Sequence, residues 1–372
     1  MRTVGVEEEL LLVDPETGEP RALPSAVLDR MTGEGEGGTD GGGGGAGDEA
    51  FEKELHRQQL EFATRPHDDM DALGDEITAR RREAGERVAE SGAAVAALAT
   101  SPLPVSPSVN PGSRYLWMQE HFGLPVRELL SCGCHVHVSV ASDEEGVAVL
   151  DRIRPWLQVL VALSANSPFW QGKDSRYASY RSQVWGRWPM AGPVELFGTA
   201  DTYHQVVTDM VATGVLRDRG MVYFDARLSH TYPTVEIRVA DVCLDARDTV
   251  LIATLARGLV ERAARDARTG RAPEEHPVSL LRLATWRAAR SGLDGELLHP
   301  VTLRPTPAED VVRALLDHVA DDLERAGDLQ RAEDALKRLL RDGTGARTQR
   351  ELLHRHGSLG SVVTDCARLT VG

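Results

Sequence analysis

The sequence has 372 residues, room for one large domain or two ordinary ones, with 41% hydrophobic and 27% charged residues, the balance of a soluble globular protein. Its formal net charge of -15 argues against nucleic acid and against anionic membrane surfaces as partners, although a local arginine cluster or a bound metal could still hold a small anion. No apolar run approaches the about 18 residues of a membrane span, no apolar segment follows Arg2, and four cysteines make no disulfide framework, so a cytoplasmic protein is expected.

Residues 3–14, TVGVEEELLLVD, alternate and then run apolar, which predicts a strand ending at Asp14-Pro15. Residues 33–48 are so rich in glycine that a flexible surface loop is expected. Residues 51–64, FEKELHRQQLEFAT, predict one or two short strands around a turn. Residues 68–99 predict a long amphipathic helix that becomes Ala-rich. CGCHVHVSV, residues 132–140, predicts a strand, and Ser142-Asp143-Glu144-Glu145 predicts the start of a helix over 143–165. Residues 166–200 are irregular and aromatic-rich. TVEIRVADV, residues 234–242, predicts another strand, and from about 245 onward the chain reads as helices broken near 270–276, 291–307 and 343–346. Strands and helices without a regular βαβ rhythm predict an α+β fold with a mostly antiparallel sheet, one catalytic domain over 1–372, and a helical extension over 300–372.

Several motifs could carry chemistry. On a strand Glu7 and Glu9 share a face, roughly 7 Å apart, and Glu8 lies on the other face with Val4, Val6, Leu10 and Leu12. Two buried like charges repel, and a hard divalent cation between them would resolve the conflict; taken alone, the motif reads more simply as a solvated edge strand. Glu54 and Glu61 lie in a strand-like context and, taken alone, read as exposed. His135 and His137 share a strand face and could reach one site, whereas Cys132 and Cys134 point away, which discounts a Cys/His zinc centre. In TVEIRVAD, Glu236 and Arg238 share one face and Val235, Ile237 and Val239 the other. Arg176, Arg181 and Arg187, interleaved with Tyr177, Tyr180, Trp185 and Trp188, suggest an anion-binding loop. A phosphate-binding glycine loop, a dinucleotide fingerprint, a nucleophile elbow and a His-Glu-x-x-His helix are all missing.

In this order and spacing, GVEEELLLVD, ELHRQQLEFAT, GCHVHVSV, NSPFW, YASYRS and TVEIRVADV resemble the carboxylate–amine ligases of the type 2 glutamate–cysteine ligase family. The resemblance covers residues 3 to about 265. It implies a glutamine synthetase-like architecture, an antiparallel sheet funnel flanked by helices that binds ATP and Mg²⁺. By position it implies Glu7, Glu9, Glu54, Glu61, His135 and Glu236 as metal ligands. Arg238 would face the nucleotide phosphates, and Arg181 would hold the α-carboxylate of an amino-acid substrate, with Tyr177 and Arg187 beside it. The substrates implied are small molecules such as glutamate and cysteine, and the helical tail could pack between subunits of a homodimer. One departure is Ser175-Arg176, where relatives tend to have Thr-Gly; it changes backbone freedom and adds a cation.

The implied reaction is amide formation through an acyl phosphate, with ATP as phosphoryl donor. A ligase for another acid and amine, phosphoryl transfer to a guanidino nitrogen, a metal-dependent hydrolase using His135 and His137, and a non-catalytic binding protein are the competing readings.

Overall fold

The computed structural model describes residues 1–32 and 51–372; the glycine-rich stretch 33–48, expected to be a flexible loop, lies outside the described residues. The elements in order are β1 (Val4–Val13), α1 (Ser25–Thr32), β2 (Phe51–Glu52), β3 (Gln59–Ala63), α2 (Met70–Ala89), β4 (Ala94–Ala96), α3 (Ser113–Phe122), α4 (Leu124–Glu128) and β5 (Gly133–Ser139). There follow α5 (Asp143–Ile153), α6 (Leu157–Leu163), the small hairpin β6 (Phe169–Trp170) and β7 (Lys173–Asp174), α7 (Arg181–Trp185), α8 (Ala200–Ala212), β8 (Ala226–Leu228), β9 (Thr234–Asp241) and α9 (Ala246–Arg268). The chain ends with α10 (Val278–Ser291), the pair β10 (Glu296–Leu298) and β11 (Pro305–Pro307), α11 (Ala308–Ala326), α12 (Leu329–Asp342), α13 (Gly345–His356) and α14 (Leu359–Val371).

Seven of the described strands form one sheet in the order β2-β3-β1-β5-β9-β8, with β4 also paired to β1. Each of these pairings is antiparallel. The mostly antiparallel α+β architecture read from the sequence is therefore the one observed. The alternation within the strands explains the layering. Val4, Val6, Leu10 and Leu12 of β1, Val136 and Val138 of β5, and Val235 and Ile237 of β9 are buried and paired in register, Val6 with Val136 and Val136 with Ile237. Helices α2, α5, α6 and α9 pack against β1, β5 and β9. The opposite face is left for polar side chains.

Glu8, which the alternation placed oddly among these apolar residues, is fully buried. The reason is Arg81 on the inner side of α2. Its Nε and Nη2 each donate to the Glu8 carboxylate at 2.8 Å. Thr249 Oγ1 of α9 donates a third hydrogen bond at 2.6 Å. Arg81 also donates to the carbonyls of Cys243 and Leu244, at 2.7 and 2.9 Å, where β9 turns into α9. A buried ion pair is tolerable only when its lone pairs and protons are met in this way.

Two expectations need correction. The helix expected over 68–99 stops at Ala89, because Gly92 takes φ +67° and turns the chain, so the buried Ala-rich residues beyond it supply β4 instead. The helix expected over 143–165 starts as expected, with Ser142 Oγ accepting from Glu145 N at 3.3 Å, but breaks around Arg154-Pro155 into α5 and α6. The C-terminal helices brace the sheet: α11 and α12 pack on α9, and α14 on β4 and α2. Among the described residues no helix is long and apolar enough to cross a membrane.

Candidate active site

The polar face of the sheet floors a cavity of about 830 Å³. Register brings the carboxylates together there. Glu9 of β1 lies opposite Glu61 of β3, Glu7 opposite His135 of β5, His137 opposite Glu236 of β9, and Glu236 opposite Arg227 of β8. Two triads result. Glu7, His135 and Glu236 offer ligand atoms within 4.8 Å of one another, and so do Glu9, Glu54 and Glu61, the last two arriving from the β2–β3 hairpin. All six residues expected to be ligands thus fall into two clusters on one face, and neither contains a cysteine. The four cysteines are free and buried.

The two triads differ electrically. In the first, histidines and arginines surround the carboxylates. His135 Nδ1 lies 3.1 Å from Glu7 Oε2, and His137 Nε2 lies 3.1 Å from Glu7 Oε1. Arg227 Nε donates to Glu236 Oε2 at 2.7 Å, and Arg238 pairs with the same carboxylate. Burial alone would push Glu7 up, but His137 and His135 hold it well below the usual carboxylate range. Glu236 is likewise buried, and Arg238 and Arg227 hold it low. Burial and the neighbouring Arg238 push His135 down to about 4, so its imidazole is neutral, the form that ligates metals. Its Nε2 is buried with no hydrogen-bond partner among the described residues. In the second triad like charges dominate. Burial and Glu54 push Glu9 up to about 7, against the pull of Arg181 and of the Gly133 N–H, which donates to Glu9 at 2.6 Å. Burial and the same neighbour push Glu61 well above its ordinary range. A cluster of oxygen ligands that repel one another, beside a triad with a neutral, unpartnered imidazole nitrogen, fits hard divalent cations.

Arg238 lines the cavity and lies over the rings of Trp185 and Tyr223, 6.0 and 5.8 Å from their centroids. The other candidates of the 166–188 segment, Arg181, Tyr177 and Arg187, are not part of the cavity wall. Arg181 is 2% exposed and does not line the cavity. It lies behind the sheet end against Gly133, where any β-carbon would collide with its guanidinium. Arg187 pairs with Glu128 at 2.7 Å on the surface. Tyr177 packs among Tyr180 and Trp286 and accepts from Trp286 Nε1 at 3.1 Å. The segment reaches the cavity through Trp185 and Trp188 instead of its arginines. What holds it is Asp241 at the end of β9, whose carboxylate accepts from Asn166 N, Ser167 Oγ and Ser179 Oγ at 2.9, 2.7 and 2.9 Å. The NSPFW and YASYRS motifs are therefore anchors. Arg176 sits in the left-handed region at φ +66°, its N–H donating to Asp174 at 2.8 Å.

Among the cavity residues that escaped the sequence reading are Arg227, Arg114 and His230. The signal for Arg227 was its place nine residues before Glu236 on the preceding strand of an antiparallel pair. Arg114 and His230 come from loop and helix-start positions that no periodicity marks.

Comparison with solved structures gives the class first. The fold matches that of a glutamate–cysteine ligase from Francisella tularensis in complex with AMP, with a TM-score of 0.70 at 13% identity, over 100% of this chain and 88% of that one. It also matches a bifunctional glutathione synthetase from Pasteurella multocida, with a TM-score of 0.71 at 14% identity, over 99% of this chain and 52% of that one. The fold is thus the one seen in these two structures. In sequence, the chain is 67% identical over its whole length to the whole of a Streptomyces avermitilis protein provisionally named glutamate–cysteine ligase 2-1. It is 63% identical to a Streptomyces coelicolor protein provisionally named glutamate–cysteine ligase 2, covering 100% of this chain and 99% of that one. The model of glutamate–cysteine ligase family 2 matches residues 3–365, and the chain belongs to that family of ligases.

Proposed function

We propose that the chain joins the γ-carboxylate of glutamate to an amine, using ATP and Mg²⁺. The observation that carries this reading is the pair of ligand triads on one sheet face, within a cavity wide enough for a nucleotide and an organic substrate. Glu7, His135 and Glu236 would hold one divalent ion, and Glu9, Glu54 and Glu61 another. Bound there, such ions neutralise phosphate oxygens and polarise the transferring phosphoryl group.

The protein's own share is alignment and charge. Arg238, oriented by Glu236 and by the faces of Trp185 and Tyr223, presents a cation to the polyphosphate as charge develops. The carboxylate oxygen of the acid bonds to the γ-phosphorus as the bond to ADP breaks. The amine nitrogen then bonds to the acyl carbon, phosphate leaves, and the nitrogen gives up a proton. The buried walls keep water from the acyl phosphate. Arg181 acts from behind Glu9, as a fixed counter-charge to the second triad, instead of gripping the substrate.

Glu7→Gln and Glu236→Gln are each expected to reduce ATP turnover by at least a hundredfold, with circular dichroism and melting cooperativity retained. A folded variant turning over ATP near the wild-type rate would remove these residues from the metal site.

A further inference from the structure

One part of the cavity wall is aromatic, with Tyr115, Trp185, Trp188 and Tyr223 lining it. The last three touch one another, with ring centroids 5.0 to 6.5 Å apart. Phe122 packs edge-on against Trp188 from outside, 5.2 Å away, and fixes the indole. Trp188 is 3% exposed, and its Nε1 has no hydrogen-bond partner among the described residues. Buried indole N–H groups normally find an acceptor, so a lone one on a cavity wall marks where a ligand acceptor arrives. The carboxylates on the cavity wall are the two triads' own and Glu52, and Arg238 lies over one side of the Trp185 and Tyr223 rings, so the aromatic end supplies the remaining ring surface and a donor.

Resting on the ligase reading above, we propose that the amine acceptor carries an aromatic ring with an oxygen on it, the ring seated among Trp185, Trp188 and Tyr223 and the oxygen receiving the Trp188 N–H. The acid must bring its carboxylate over the triads to meet the γ-phosphorus. The amine arrives after it, and its unreacting part is left the aromatic end. A compact amine such as cysteine would cover little of this wall, whereas a phenolic amine covers the rings and meets the orphan donor.

Hydroxylamine traps acyl phosphates without needing a fitted pocket, so hydroxamate formation from glutamate, ATP and Mg²⁺ tests the ligase reading separately. With amines in its place, kcat/KM for tyramine is expected to exceed that for cysteine by at least tenfold. Calorimetry should show tyramine binding in the presence of Mg²⁺ and a non-hydrolysable ATP analogue. Trp188→Phe keeps the ring and deletes the N–H. It is expected to lower the preference for tyramine over phenethylamine, which lacks the oxygen, by roughly five- to tenfold, the loss of one buried hydrogen bond. Hydroxamate formed without any preference for aromatic amines, or a tyramine to phenethylamine ratio untouched by Trp188→Phe, overturns the proposal and leaves the ligase reading standing. Absence of hydroxamate overturns both.

Discussion

Glu9, pushed up to about 7 by burial and by Glu54, would make binding of the proposed cation pH-dependent. Below that value the carboxyl carries a proton that a cation must displace; above it the oxygen is free. Mg²⁺ affinity measured by calorimetry is therefore expected to strengthen as pH rises from 6 toward 8, by up to about tenfold per unit for each proton displaced, and then to level off. The same shift sets the stability of the metal-free protein. A carboxyl whose folded value lies above its ordinary one favours folding while protonated, and that contribution is lost as pH rises through about 7. Glu61, also pushed up by burial and by Glu54, acts in the same direction. The rise in Tm on adding Mg²⁺ should consequently be larger at pH 8 than at pH 6; an equal rise at both would exclude Glu9 and Glu61 as ligands. At this scale alternation was readable for Glu7, Glu9, His135 and Glu236, which sit in strands, whereas Glu54 lies between β2 and β3 and joined the set only through the family resemblance. That Tyr177, Arg181 and Arg187 lie off the cavity wall was not readable, because the 166–188 segment has no period from which to infer direction and its anchoring to Asp241 spans some 75 residues.

Strand β1 separates two roles by a single-residue step. Glu8 faces Arg81, so Glu8→Ala leaves a guanidinium buried without its charge and is expected to cost about 3–5 kcal/mol in urea unfolding. Glu61, on the cavity side of β3, does the reverse. Glu61→Gln removes repulsion among Glu9, Glu54 and Glu61 and is expected to raise the Tm of the metal-free protein while lowering turnover. If both variants moved stability the same way, the assignment of faces would be wrong. Between β6–β7 and α7, Arg176 holds a left-handed conformation that costs an L side chain about 1 kcal/mol. Arg176→Gly should therefore stabilise the protein by up to about that amount in thermal melts, partly offset by the entropy of glycine in the unfolded chain. Elements with alternation or caps were legible from sequence. The end of α2 and the existence of β4 were not, because an Ala-rich run suits a helix as well as a buried strand, and the turn at Gly92 decided between them.

Across the whole molecule, the two proposed ligand triads depend on strands that begin at residue 4 and end at residue 241. Helices from the C-terminal third hold them in place. Thr370 Oγ1 accepts from Ala97 N at 2.8 Å just beyond β4, and Gln349 Nε2 of α13 donates to the carbonyl and side-chain oxygens of Asn166, at 2.9 and 2.7 Å. That those helices exist was legible in the sequence; what they brace was not, since such contacts join residues more than 180 positions apart. The Arg81–Glu8 pair joins three such distant pieces, β1, α2 and the turn into α9, and this has a consequence for how the sequence can drift over evolutionary time. Changing either partner alone strands a charge in the interior, whereas exchanging both for apolar residues of similar volume can be neutral. The two positions are thus separated from their apolar alternative by a fitness valley. Lineages should carry both charges or neither, and Glu8→Leu combined with Arg81→Met is expected to recover most of the stability that each change loses separately in a double-mutant cycle.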